Sequence, residues 1–198
     1  MDKKEMLPID QYTKVILPAS SYNMQDDNRL LIPFTCGDKI GFANKEGEVV
    51  VKPQFTMYYG ECYDESDNIR VTVDDLYGFA RSGGKVSTYK RPIYGLINSK
   101  GETIFEPSFY SLIPAIGNKN LYTFQDKDYK YAVLNIDGKE VVPFGKYSWI
   151  DGFDNGLARV KIGNVTNGQN ENGNKWGLID ENGKEVLPLD YDNIWNFY

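Results

Sequence analysis

The 198-residue chain contains no histidine, and that bounds its chemistry. Without imidazole no Ser–His or Cys–His pair can activate a nucleophile, and the commonest metal ligand is missing. Two cysteines, Cys36 and Cys62, are too few for a structural zinc site or a disulfide framework. They suit small buried side chains in a reducing compartment. Carboxylates are what remains for acid–base work, and Asp26-Asp27, Asp64-Glu65-Asp67, Asp74-Asp75 and Asp190-Asp192 are closely spaced. A glycosidase needs two carboxyls facing one sugar bond, whereas neighbours on a strand point to opposite faces. These groups read as solvated loop charge. Asp126-Lys127-Asp128 and Asp190-Tyr191-Asp192-Asn193 faintly resemble calcium loops but lack the glycine and distal glutamate of an EF-hand. No catalytic residue, metal ligand or cofactor is assigned.

Binding has more to work with. There are 15 Tyr, 10 Phe and 3 Trp. Tyr58, Tyr59, Tyr63, Tyr77 and Tyr89 fall outside the repeating frame described below, and an exposed Tyr can stack on sugars or anchor a protein interface. The net charge of -6 disfavours nucleic acid, whose affinity comes from Lys and Arg, and suits a basic protein partner. Asp64, Glu65, Asp67, Asp74 and Asp75 are expected along one exposed acidic edge, and with Tyr77 and Tyr89 they are the candidate partner-binding residues.

The elements that must carry these groups come from a repeat. Lys175 to Pro188 reads as a β-hairpin: Gly177, then Asp180 three positions on, then Gly183 three more, then a return strand stopped by Pro188. Asp or Asn at the first turn position caps the turn backbone, and the following Gly supplies a positive φ. The same frame recurs as Gly41, Asn44, Gly47 and Pro53; as Gly95, Asn98, Gly101 and Pro107; and as Ala132, Asn135, Gly138 and Pro143. A large residue precedes the small one each time: Ile40, Tyr94, Tyr131 and Trp176. The small residue lets a neighbouring backbone or ring approach closely.

Each hairpin is followed by a tail with an aromatic soon after the Pro, as in Pro53 to Phe55, Pro107 to Phe109, Pro143 to Tyr147 and Pro188 to Tyr191. A fifth tail, Pro8 to Tyr12, opens the chain. Third strands led by an Asn are expected at Asn28 to Phe34, Asn68 to Val73, Asn120 to Phe124 and Asn155 to Ile162. In the last, Leu157, Arg159 and Lys161 alternate with Ala158, Val160 and Ile162, the period of a half-buried strand. Asp74 to Ile93 reads as an insertion that forms a hairpin of its own, and Gly163 to Lys175 as an Asn- and Gly-rich loop. No helix pattern is found. The fold expected is all-β, with tandem hairpin and meander repeats forming a propeller-like single domain over 1–198, in units 1–38, 39–93, 94–130, 131–175 and 176–198. The first unit lacks a hairpin and the last a third strand, so a closed or nearly closed ring with neighbouring termini is expected; the alternative is an open arc.

The string Trp176-Gly177-Leu178-Ile179-Asp180, then Gly183-Lys184-Glu185-Val186 and Pro188, then Tyr191, with Gly156-Leu157-Ala158-Arg159-Val160 upstream, resembles the bacterial WG repeat. Ile40, Tyr94 and Tyr131 depart from its Trp and Ala132 from its Gly. The resemblance implies an interaction scaffold of tandem hairpins and brings no catalytic residues. No run approaches the ~20 apolar residues of a membrane span, and Met1-Asp2-Lys3-Lys4-Glu5 has no apolar segment after it, so a cytoplasmic location is expected. The function expected is a non-enzymatic protein-binding module, in its concrete form an immunity or antitoxin-like inhibitor of a basic toxin or effector. The alternative is a carbohydrate-binding or carbohydrate-cleaving protein.

Overall fold

The computed structural model describes residues 14–15, 31–56, 68–82, 85–163, 165–166, 169–170 and 173–195. Every regular element among them is a β-strand, and the chain divides into two compact units, Met1–Pro107 and Ser108–Tyr198.

The first unit holds two antiparallel sheets. One pairs β1 (Lys14–Val15), β2 (Ile32–Cys36), β3 (Lys39–Ala43) and β4 (Val49–Phe55) in chain order. The next pairs β5 (Ile69–Ser82), β6 (Lys85–Ile97) and β7 (Thr103–Phe109). Its outermost position is reduced to a bridge, in which the Thr56 amide donates to the Thr72 carbonyl at 2.7 Å. Between these sheets Ile40, Phe42, Val51, Phe55, Ile69, Val71 and Ile97 form one buried cluster.

The second unit repeats the plan. Its first sheet pairs β8 (Ser111–Ala115), β9 (Asn118–Gln125), β10 (Tyr131–Asn135) and β11 (Glu140–Val142). Then come β12 (Trp149–Ile150) and β13 (Leu157–Ile162), a short ribbon of β14 (Val165–Thr166) with β15 (Gln169–Asn170), and finally β16 (Lys175–Asp180) and β17 (Glu185–Tyr191). The last sheet has the order β12-β13-β16-β17. Val133, Val142, Tyr147, Ile150, Phe153, Ala158, Val160 and Ile179 share its buried core.

The four hairpin turns share one hydrogen-bond scheme. In the first, the Gly47 amide donates to the Asn44 carbonyl, and the Asn44 amide to the Glu48 carbonyl. Asn44 Oδ1 also accepts from the amides of Glu46 and Glu48 at 3.1 and 2.8 Å. Asn98, Asn135 and Asp180 accept the equivalent pairs. Gly47, Gly101, Gly138 and Gly183 have φ of +82°, +83°, +80° and +74°, the left-handed conformation that the spacing predicts. A fifth turn of this kind joins β9 to β10. Asp126 caps the amides of Asp128 and Lys130, and Tyr129 takes the glycine position at φ 63°. The faint calcium loop in the sequence is therefore a capped turn.

The other glycine of the frame meets the return strand. A Cβ on Gly41 would lie 2.7 Å from the Val51 carbonyl, on Gly95 2.6 Å from that of Phe105, and on Gly177 2.8 Å from that of Leu187. Ladder register shifts at Gly41 and Gly177: Phe42 faces Val51 but Ile40 faces Phe55, and Leu178 faces Leu187 but Trp176 faces Tyr191. The extra residues form a bulge that holds the Pro, which a regular ladder would not accept. Ala132 replaces Gly where β11 stops at Val142 and the Tyr131 carbonyl is taken by the Gly145 amide, so no strand runs on across it.

Three expectations are corrected. The sheets are offset from the sequence units: each takes a tail and third strand from one unit and the hairpin of the next. Hairpin β16–β17 therefore has its third strand, β13, and the first hairpin has β2. The apparent half-units at the ends, which motivated ring closure, are complete sheets. Residues 74–93 do not make a separate hairpin but lengthen β5 and β6, paired from Ile69↔Ile97 to Ser82↔Lys85. Residues 163–175 contain the β14–β15 ribbon, not only loop.

Adjacent sheets meet through the turn glycines. A Cβ on Gly101 would lie 2.6 Å from Val51 Cγ2, and on Gly183 2.9 Å from the Val141 carbonyl. Gly117 also has φ +83°, but a Cβ added there would meet nothing within 4 Å. Gly117→Ala should cost only the left-handed penalty, about 1 kcal/mol; Gly183→Ala should cost a further ~1–3 kcal/mol for overpacking. Urea titration of both variants checks this, and equal losses would refute the inter-sheet contact.

Hydrogen bonds from the backbone of Lys184 hold the Asp180 carboxyl below its ordinary value, a burial effect in the opposite sense being smaller, and the Asn182 amide lowers it further. Its contribution to stability is thus present above the unfolded pKa, about 3.9, and is lost as pH falls through the folded value. Asp180→Asn preserves the cap, as Asn44, Asn98 and Asn135 do, and should flatten this part of the acid dependence of Tm. An unchanged acid limb would show that Asp180 does not set it.

Candidate functional site

Of the acidic residues expected along one edge, only Asp74 and Asp75 are among the described residues. Asp64, Glu65 and Asp67 lie outside the described residues. Asp74 and Asp75 are consecutive in β5 and leave it on opposite faces. Asp74 lies 3.6 Å from Lys90 Nζ and accepts a hydrogen bond from Thr56 Oγ1. Asp75 faces Arg91 across the ladder. Cations thus stand beside both carboxylates, and exposed pairs of this kind contribute little energy. Tyr77 lies in β5. Tyr89 is 53% exposed. A cleft of about 260 Å³ near Leu31, Val50 and Lys100 sits between two capped turns and presents no paired carboxylates. Among the described residues no group of three His, Cys, Asp or Glu is placed to hold a metal.

The structure assembles a different cluster on the last sheet. Its ladder sets Trp149 opposite Lys161, Lys161 opposite Trp176, and Trp176 opposite Tyr191. Directly paired residues share a face, so these four form one row. Their neighbours Ile150, Val160 and Ile179 point the other way, into the core. The row includes Trp149 and Tyr191, 39% and 44% exposed, and Trp195 beyond β17 is 81% exposed.

One carboxylate orders the row. Asp151 Oδ1 accepts a 2.7 Å hydrogen bond from Trp149 Nε1, and Oδ2 accepts from Arg159 Nε and pairs with Nη2. Arg159 Nη1 donates to the Ile194 carbonyl at 2.7 Å, and its guanidinium lies 5.4 Å from the centre of the Trp176 ring. Trp149 in turn leans on Tyr131, ring centres 5.1 Å apart. Lys161 is buried, with Nζ 5.3 Å from the Trp176 ring centre. Among the described residues no carboxylate pairs with it; Asp151 is held by Arg159 and Asp192 by Lys175.

Sequence reading placed Arg159 and Lys161 on the outward side of a strand and Trp176 in the repeat frame. It did not join them to Trp149, Asp151 or Tyr191, because that requires the register. The usable signal was two cations alternating with Ala158 and Val160, a pattern that puts charge beside whatever aromatic the next strand brings. Removing the organiser tests the cluster: Asp151→Ala strands the Arg159 guanidinium and should cost about 1.5–3 kcal/mol. The Trp149 indole proton should lose its exchange protection in the same variant, and unaltered protection would mean that Asp151 does not hold the ring.

A family model described as WG containing repeat matches residues 40–77, 94–131, 131–165 and 176–198. No curated protein and no solved structure matches the chain. The family boundaries fall where the capped hairpins recur, and they cover more than half of the residues. The chain belongs to the WG containing repeat family.

Proposed function

We propose that this chain is a non-enzymatic protein-binding module whose contact surface is the outer face of the last sheet. The observation that carries this reading is the row Trp149, Lys161, Trp176 and Tyr191. Trp, Tyr and Arg dominate binding hot spots. Rings already held by Asp151 and by ladder register lose less freedom on association. The concrete form is a bacterial immunity or antitoxin-like inhibitor of a basic toxin or effector, acting in the cytoplasm. A net charge of -6 supports a basic partner, since opposite net charge speeds encounter. Antiparallel meander sheets in tandem also support a propeller-like arrangement. No helix among the described residues is long and apolar enough to cross a membrane.

The exposed rings favour one other reading, a carbohydrate ligand stacked on Trp149 and Tyr191. Affinity capture from a bacterial lysate, run in parallel with a glycan panel, separates the two. The expected result is one basic protein retained stoichiometrically by the wild type and lost by the Trp149→Ala/Tyr191→Ala double variant. Capture that weakens as salt rises would fit the charge argument. Saturable glycan binding that the same variant abolishes would overturn the protein-binding reading.

A further inference from the structure

The internal repeats provide a comparison for each position of the row. The residue opposite the large pre-glycine side chain is Thr35 facing Ile40, Thr72 facing Tyr94, Gln125 facing Tyr131, and Lys161 facing Trp176. Three sheets carry a neutral polar group there and the fourth carries an ammonium. The repeat frame does not call for a cation, so Lys161 answers to something local. Ion pairing within the sheet does not explain it, because the nearby carboxylates of Asp151 and Asp192 are held by Arg159 and Lys175. The Lys161 side chain is 8% exposed and lies along the sheet face with its ammonium over the Trp176 ring. A ring face stabilises an ammonium but supplies no acceptor for its three N–H donors.

We propose that Lys161 is the receptor for an acidic side chain, Asp or Glu, of the protein partner, seated between the rings of Trp149 and Trp176. The proposal rests on the protein-binding reading above. Three features argue for this occupant. Among the described residues no carboxylate is set against this ammonium, whereas Arg159 is paired with Asp151. Trp149 and Trp176 flank Lys161 in the ladder, and the Trp176 ring beside the ammonium lowers the local dielectric, which strengthens a charge-assisted hydrogen bond. Trp149 is fixed by Asp151, so one wall of the seat is ordered before the partner arrives. A partner that is basic overall and offers one carboxylate here would be drawn in by net charge and fixed in register by this reversed pair. A uniformly basic surface would meet Lys161 as a like charge and be rejected.

The test uses blocked peptides and the full chain. Ac-Gly-Glu-Gly-NH2 and Ac-Gly-Gln-Gly-NH2 differ in one carboxylate, and Ac-Gly-Gly with a free C-terminus supplies a terminal one. Binding is read from the indole N–H resonances of Trp149 and Trp176. The Glu peptide should give saturable shifts at both, with at least tenfold tighter binding than the Gln peptide. Lys161→Met should erase that difference while the Trp149 indole proton stays protected, and Lys161→Arg should retain it. If Lys161→Met does not fold, the ammonium 15N resonance of Lys161 in the unaltered chain should move with the Glu peptide and not with Gln. Equal response to Glu and Gln overturns the proposal, as does a stronger response to the terminal carboxylate. The protein-binding reading fails separately: a captured partner lost by Trp149→Ala but unaffected by Lys161→Met leaves the contact face standing and removes only the carboxylate seat.

Discussion

The turn glycine does two jobs at one atom. At Gly101 and Gly183 it adopts the left-handed backbone that closes a hairpin capped by Asn98 or Asp180. The hydrogen it carries in place of a Cβ faces the return strand of the preceding hairpin, at Val50 and Val51 in one case and Val141 and Val142 in the other. Hairpin closure and sheet stacking within each unit therefore depend on the same residue. A side chain would strain the turn and push the sheets apart together. Elsewhere the two demands separate. Tyr129 adopts positive φ in a capped turn, is 49% exposed and rests its ring on Tyr110, centroids 5.4 Å apart, so the conformation alone does not require glycine.

The second glycine of each hairpin controls what can lie on the sheet face. Where it is present, the return strand presses its carbonyl onto the missing Cβ and bulges around the Pro. In the last sheet the bulge turns Leu189 toward the core cluster and brings Tyr191 back into the ladder opposite Trp176. The row is a product of the bulge. Without it the strand would follow a regular register, and the residue beside Trp176 would be a different one. A one-residue slip would be worse, since it exchanges the two faces and would bury Trp176 in place of Ile179. Capped turn and bulge together pin the register from both ends of a six-residue strand.

Much of the fold was legible because its punctuation is local. An Asn or Asp followed three residues later by Gly determines its own turn, and the four strands that alternate or cluster apolar residues appear where the frame places them. Pairing between units was not legible, because a third strand sits equally well beside the hairpin before it or after it as far as its own residues go. The chosen partner depends on where the tail crosses, and that is a tertiary matter. The same limit hid the candidate site. Asp151 and Arg159 are eight positions apart and Trp176 and Tyr191 fifteen, so no window of local pattern links them. Asp74 and Asp75 show the converse: they are adjacent in sequence, and strand alternation sends them to opposite faces of β5.

The repeat also separates frame from function. Ile40 and Phe55 occupy the row positions of Trp176 and Tyr191, in the same bulged register, and both are buried at 4% and 6% exposure. Tyr131 at the same position is buried too, beneath Trp149. A large side chain at these places is a requirement of the frame, and its exposure depends on what covers the sheet. An exposed aromatic at a frame position is therefore weak evidence for a site on its own. Lys161 stands where the other copies carry Thr35, Thr72 and Gln125, Trp149 where they carry Lys14, Thr56 and Ser111, and Asp151 where one carries Ile113. Arg159 has a counterpart in Arg70, which faces Leu96 as Arg159 faces Leu178. Together Trp149, Asp151, Arg159 and Lys161 convert a packing position into a charged and ordered surface without altering a turn, a bulge or a core residue. The ordered row is thus built on the strands that flank the signature hairpin, while the hairpin itself keeps those strands in register.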